Sequence, residues 1–169
     1  GIVRQVGADV TLFKPGDAVY YAGSLIRSGS YSEFQVVDER IVGHRPRTLD
    51  AAHAAALPLT SITAWELLFD RLGVTEGGGE GDVLLVVGAG GGVGSILVQL
   101  ARQLTNMTVI GTASRPTTQA WVHELGAHHV IDHNRLLSEE LKKIGIDNAS
   151  HIVSLNSTDQ HFAQIVEAI

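Results

Sequence analysis

Residues 88–95, Gly88-Ala89-Gly90-Gly91-Gly92-Val93-Gly94-Ser95, are the stretch of this chain best suited to hold an anionic ligand. The apolar, β-type run Val83-Leu84-Leu85-Val86-Val87 leads in, and Ile96-Leu97-Val98-Gln99-Leu100-Ala101 leaves with helical spacing. A strand, a tight turn and a helix in that order bring backbone N–H groups up to a pyrophosphate. Glycines are required because a Cβ would block the phosphate or hold the helix off the strand. The pattern registers as Gly88-x-x-Gly91-x-x-Gly94, or Ala89-x-Gly91-x-x-Gly94. It departs from a strict G-x-G-x-x-G, because Gly88 and Gly90 are followed by Val93 where a glycine belongs. The surrounding βαβ spacing supports a dinucleotide site, with Gly91, Gly92, Val93 and Gly94 at the pyrophosphate. The alternative is a glycine-rich turn that packs helix on sheet without a ligand.

The second strand bears on which dinucleotide. An NAD site carries Asp or Glu about 20 residues beyond the glycines, on the ribose 2′-hydroxyl. No acidic residue occurs between Asp82 and Glu124, and Val109-Ile110-Gly111-Thr112-Ala113 ends in Ser114-Arg115. A hydroxyl and a guanidinium suit a 2′-phosphate, which arginine binds as a fork. NADP(H) is therefore favoured, against the alternative of a surface arginine without a partner.

These groups need a scaffold to position them. From residue 83 onward the pattern alternates, with strands expected at 83–87, 107–112, 128–131 and 151–155. Helices are expected at 93–104, 117–125, 136–144 and 159–168. Repeated βα units imply a parallel, doubly wound α/β sheet. Residues 1 to about 48 read as β structure. They include a tight turn at Lys14-Pro15-Gly16-Asp17, a strand at 18–21 and a half-buried strand over 31–37 with Phe34 and Val36 inward. Asp50 is placed to cap a short helix that Pro58 stops. A second helix follows, with Ile62, Trp65, Leu68 and Phe69 on its apolar face.

The chain has 169 residues, enough for one sizeable core or two small ones. A net charge of −6 gives no electrostatic reason for nucleic acid or an anionic membrane as partner. With no cysteine, disulfides and thiolate metal sites are excluded within these residues. The uncharged run from Val83 to Ala101 approaches the length of a membrane span. Its five glycines between positions 88 and 94 argue instead for a buried strand and a buried helix face. No initiator Met is present and both ends read as cuts through a longer protein.

Four motifs in order carry a resemblance: Lys14–Val19, Ala55–Trp65, Gly88–Ser95 and Glu124–His133. Together they resemble the medium-chain dehydrogenase/reductase superfamily, in its zinc-independent quinone oxidoreductase (zeta-crystallin-like) or zinc-type alcohol dehydrogenase-like branch. The resemblance implies the remainder of a GroES-like β-barrel catalytic domain over 1–58. It implies the N-terminal part of a Rossmann cofactor-binding domain over 59–169. It also implies that Thr63 lies near the nicotinamide and that Ser114 and Arg115 meet the 2′-phosphate. His133 falls where relatives often have a tyrosine that reaches a cofactor phosphate, and Leu155 and Asn156 fall on the loop past the adenosine ribose.

The activity so implied is NADPH-dependent hydride transfer to a small-molecule quinone or enone, without zinc. The residue before the Thr63 motif where zinc-dependent relatives carry cysteine is absent from Leu57-Pro58-Leu59-Thr60, and the structural zinc lobe is absent too. His123, His128, His129 and His133 are spread over a helix, a strand and its exit, so no metal ligand is assigned. No catalytic residue is assigned either. Tyr20 and Tyr21 read as packing residues. Two other classes stay open: a zinc alcohol dehydrogenase with upstream ligands, and a non-enzymatic NADPH-binding protein. The full-length form is expected to be a cytoplasmic homo-oligomer, and these 169 residues alone are expected to be inactive.

Overall fold

The computed structural model describes residues 1–169 and divides into two compact units, Gly1–Thr60 and Ser61–Ile169. In the first unit, β1 (Val19–Tyr20) pairs antiparallel with β2 (Gly43–His44), and Ile2 bridges to Ala18. The turn at Lys14–Asp17 closes with Asp17 N–H donating to the Lys14 carbonyl at 3.1 Å. Gly16 takes φ +96°, the conformation for which glycine is needed at that position.

Residues 31–37 form no strand. Phe34 and Val36 are 71% and 79% exposed, whereas Gln35 is half-buried. Gln35 accepts from Tyr21 Oη at 2.8 Å and donates to the Ser28 carbonyl at 2.6 Å. Of the alternating residues 33–36 only Gln35 turns inward, while Glu33 stays exposed with Phe34 and Val36, because alternation names two faces and only a partner selects one.

Asp50 caps α1 (Ala51–Ala55), its carboxylate accepting from His53 N–H at 2.8 Å. That bond, and the His53 ring, hold Asp50 below the ordinary carboxylate range. Pro58 does not stop this helix. It is the second residue of α2 (Leu57–Trp65), where a missing N–H costs nothing. A π-helical turn over Glu66–Arg71 continues α2, with Leu72 N–H donating to the Leu67 carbonyl. The buried pair is Ala64 and Leu68, four residues apart, while Ile62 and Trp65 are exposed.

The second unit contains four parallel strands: β3 (Val83–Val87), β4 (Thr108–Thr112), β5 (His129–Ile131) and β6 (His151–Ser154). Their spatial order is β5-β4-β3-β6. The connecting helices are α3 (Gly92–Leu104), α4 (Pro116–Glu124) and α5 (Leu137–Lys143), and α6 (Thr158–Ala168) follows β6. All four expected βα pairs are present within a residue or two.

Both faces of the sheet are covered. Leu84 and Val86 of β3 pack with Leu97, Val98 and Ala101 of α3, Val122 of α4 and Leu68. Leu85 and Val87 face the other way, toward Leu137 and Leu141 of α5 and Ala168 of α6. A strand buried on both faces explains why 83–87 is continuously apolar. Burying side chains such as these contributes on the order of 2 kcal/mol each.

Candidate functional site

The sheet order reverses between β3 and β6, since β4 lies on one side of β3 and β6 on the other. In open α/β sheets, ligands bind in the crevice at the carboxyl ends of the strands at this reversal. The glycine turn leaves β3 at that place.

The turn is built from the backbone upward. Gly88 has φ +88°, and a Cβ there would fall 2.6 Å from Asn156 Oδ1 and 3.5 Å from Leu155 Cβ. Residues after β3 and after β6 are thereby brought face to face across the reversal. Leu155 N–H donates to the Val87 carbonyl at 3.1 Å, which holds the second loop in place. Ser157, next to Asn156, has φ 49°, the single non-glycine residue in the left-handed region.

Gly91 N–H donates to the Gly88 carbonyl at 3.1 Å, and Gly91 is the N-cap of α3 with no side-chain cap. The N–H groups of Gly92, Val93 and Gly94 precede the first intrahelical bond, which Ser95 N–H makes to the Gly91 carbonyl at 2.8 Å. Gly91 and Gly92 are exposed. Free N–H groups and the positive end of the helix dipole are the features that suit a helix N-terminus to an anion. A Cβ on Gly91 would meet nothing nearer than the Gly88 carbonyl at 3.4 Å, so the space above it is open. Gly94 serves packing: a Cβ there would fall 2.7 Å from Ala89 Cα.

The other residues expected at the site lie at strand ends. Ser114 is half-buried after β4, and Arg115 is the N-cap residue of α4. The Arg115 guanidinium is exposed and makes no ion pair or hydrogen bond within the chain. His133 follows β5 and reaches back to β4, its Nδ1 lying 3.2 Å from Thr112 Oγ1. Thr112 Oγ1 also accepts Gly88 N–H at 3.1 Å. Thr63 is half-buried in α2, next to Ala64, which belongs to the same apolar cluster as Ala89 and Leu97.

Two contributors escape a reading by motif. Thr112 reads as one more strand residue, although a hydroxyl at the buried end of an apolar strand needs partners. Trp121 reads as an amphipathic helix residue, yet its Nε1 donates to Ser95 Oγ at 3.0 Å and ties α4 to the first turn of α3.

These features define a doubly wound α/β domain whose glycine turn and helix N-terminus lie at its topological switch point. The chain belongs to the medium-chain dehydrogenase/reductase superfamily. Residues 92–169 match the family model described as zinc-binding dehydrogenase. A zinc-type alcohol dehydrogenase-like protein of Staphylococcus aureus is 40% identical over 171 residues, covering 100% of this chain and 51% of the relative. A crystal structure of a candidate zinc-dependent alcohol dehydrogenase from Rhizobium etli superposes with TM-score 0.93 at 57% identity, covering 100% of this chain and 50% of that one. The Escherichia coli quinone oxidoreductase complexed with NADPH superposes with TM-score 0.79 at 28% identity, again over 100% of this chain and 50% of that one. The chain thus spans about half the length of the relatives it matches. Within these residues no group of three or more His, Asp or Glu side chains is placed to hold a metal ion, and there is no cysteine.

Proposed function

We propose that the protein is an NADPH-dependent oxidoreductase that reduces a quinone or an α,β-unsaturated carbonyl without zinc. Residues 59–169 supply the first part of its Rossmann domain, and 1–58 the later part of its GroES-like catalytic domain. The observation that carries the cofactor choice is Arg115. Its unpartnered guanidinium stands just beyond β4, where an NAD-type site would carry a carboxylate.

The residues divide the work by chemistry. The N–H groups of Gly92, Val93 and Gly94 receive the pyrophosphate. Ser114 and Arg115 receive the 2′-phosphate. His133 offers an imidazole to a phosphate oxygen, and Leu155 and Asn156 border the adenosine ribose. Thr63 positions the carboxamide end. Bound NADPH supplies the hydride. Without a metal, the acceptor oxygen is polarised by hydrogen-bond donors. The E. coli quinone oxidoreductase, complexed with NADPH, supports this reading. We further propose a homo-oligomer in the cytoplasm.

The test is NADPH and NADH oxidation by the full-length protein against a panel of quinones and enones, with elemental analysis for zinc. Turnover with NADPH and no stoichiometric zinc is expected. The zinc-type names among the relatives favour a second reading, a zinc-dependent alcohol dehydrogenase. One zinc per chain with alcohol oxidation would replace the first reading by the second. Tight NADPH binding with no turnover would leave a non-enzymatic binding protein.

A further inference from the structure

Thr112 is only 1% exposed, and its hydroxyl lies between two loops of the site. Oγ1 is 3.1 Å from Gly88 N, whose N–H it accepts, and 3.2 Å from His133 Nδ1. A threonine hydroxyl has one proton and two lone pairs. Gly88 occupies one lone pair. Were His133 to donate from Nδ1, it would occupy the other, and the hydroxyl proton would be buried without an acceptor. That arrangement carries the desolvation penalty of an unmade hydrogen bond. Every group is satisfied when the hydroxyl instead donates to Nδ1.

The neutral imidazole then carries its proton on Nε2. Nε2 has no partner within the chain and is not among the buried, unpaired nitrogens. His161 of α6 lies edge-on to the His133 ring, with centroids 5.8 Å apart.

We propose that Thr112 is a positioning residue: its hydroxyl pins the glycine turn through Gly88 and sets His133 in the Nε2–H tautomer, presenting that N–H to a phosphate oxygen of a bound dinucleotide. The ligand part rests on the nucleotide reading of the site, while the tautomer does not.

The ¹⁵N shifts of the His133 ring in the ligand-free chain, at about pH 8 where an ordinary imidazole is neutral, read the tautomer directly. Nε2–H is expected in the wild type and in Thr112→Ser. In Thr112→Val, which keeps the shape and loses the hydroxyl, the tautomer preference is expected to disappear. NADPH affinity is expected to fall about tenfold in Thr112→Val and to be largely retained in Thr112→Ser, the size of losing one oriented polar contact. An Nδ1–H tautomer in the wild type overturns the proposal. So does a Thr112→Val protein unchanged in tautomer and affinity, or a Thr112→Ser protein as weak as Thr112→Val. If the wild type binds no NADPH, the nucleotide reading falls and the tautomer alone decides the role of Thr112. If Thr112→Val does not fold, the tautomer in the wild type and in Thr112→Ser decides it.

Discussion

Gly94, in the first turn of α3, packs against Ala89 so closely that a Cβ on it would fall 2.7 Å from the Ala89 Cα. The obstacle is backbone, which cannot swing aside as a side chain can. Gly94→Ala is expected to destabilise the fold by about 3 kcal/mol, the upper range for overpacking. Gly91→Ala meets only a 3.4 Å contact and is expected to lose less than about 1 kcal/mol. Urea denaturation of both variants measures the difference. Equal losses would mean that Gly91, too, is there for packing and not to leave room for a ligand.

Arg115 is exposed and unpartnered, so replacing it disturbs little of the fold. Arg115→Asp is expected to weaken NADPH binding by about 10- to 100-fold, the loss of a charge-assisted bond to phosphate. NADH binding is expected to change far less. Titration of both nucleotides by calorimetry checks this, and equal losses would remove the 2′-phosphate assignment.

His128 is expected to contribute acid sensitivity to the second unit. Desolvation first, and then the Arg102 guanidinium 2.7 Å from Nε2, lower its pKa below the ordinary 6.5. Val109 N–H donates to Nδ1 at 2.8 Å, so a further proton on that nitrogen would also break this bond. The unfolded chain takes up a proton near pH 6.5 that the folded chain resists. The unfolded state therefore binds more protons in this window, and stability falls as pH drops from 6.5 through the folded pKa. His128→Asn keeps an acceptor near Nδ1 and removes the titration. Its urea midpoint is expected to fall less between about pH 7.5 and 5.5 than that of the wild type. An identical fall would assign the acid sensitivity to other groups.

Much of the βα alternation was legible because its signals are local. A continuously apolar run such as 83–87 says that both faces of a strand are buried, and Asp50 before an alanine-rich run says that a helix starts. Phe34 and Val36 were misread because alternation does not say which face is buried. Only a neighbour does, and here bonds to Tyr21 and Ser28 draw Gln35 inward and leave Phe34 and Val36 exposed. Ile62 and Trp65 were misread because the π-helical turn at 66–71 and the packing of Ala64 and Leu68 set the buried stripe, and not spacing alone.

By itself, then, the sequence determined the alternating elements, the glycine turn and the choice of Ser114-Arg115 over an acid, since these depend on residues close in the chain. Tertiary structure decided that Asn156 stands against Gly88, and that Thr112 joins Gly88 to His133. Those residues are far apart in sequence. They meet because parallel pairing in the order β5-β4-β3-β6 carries the strand ends to one edge of the sheet, and side-chain periodicity does not encode that order.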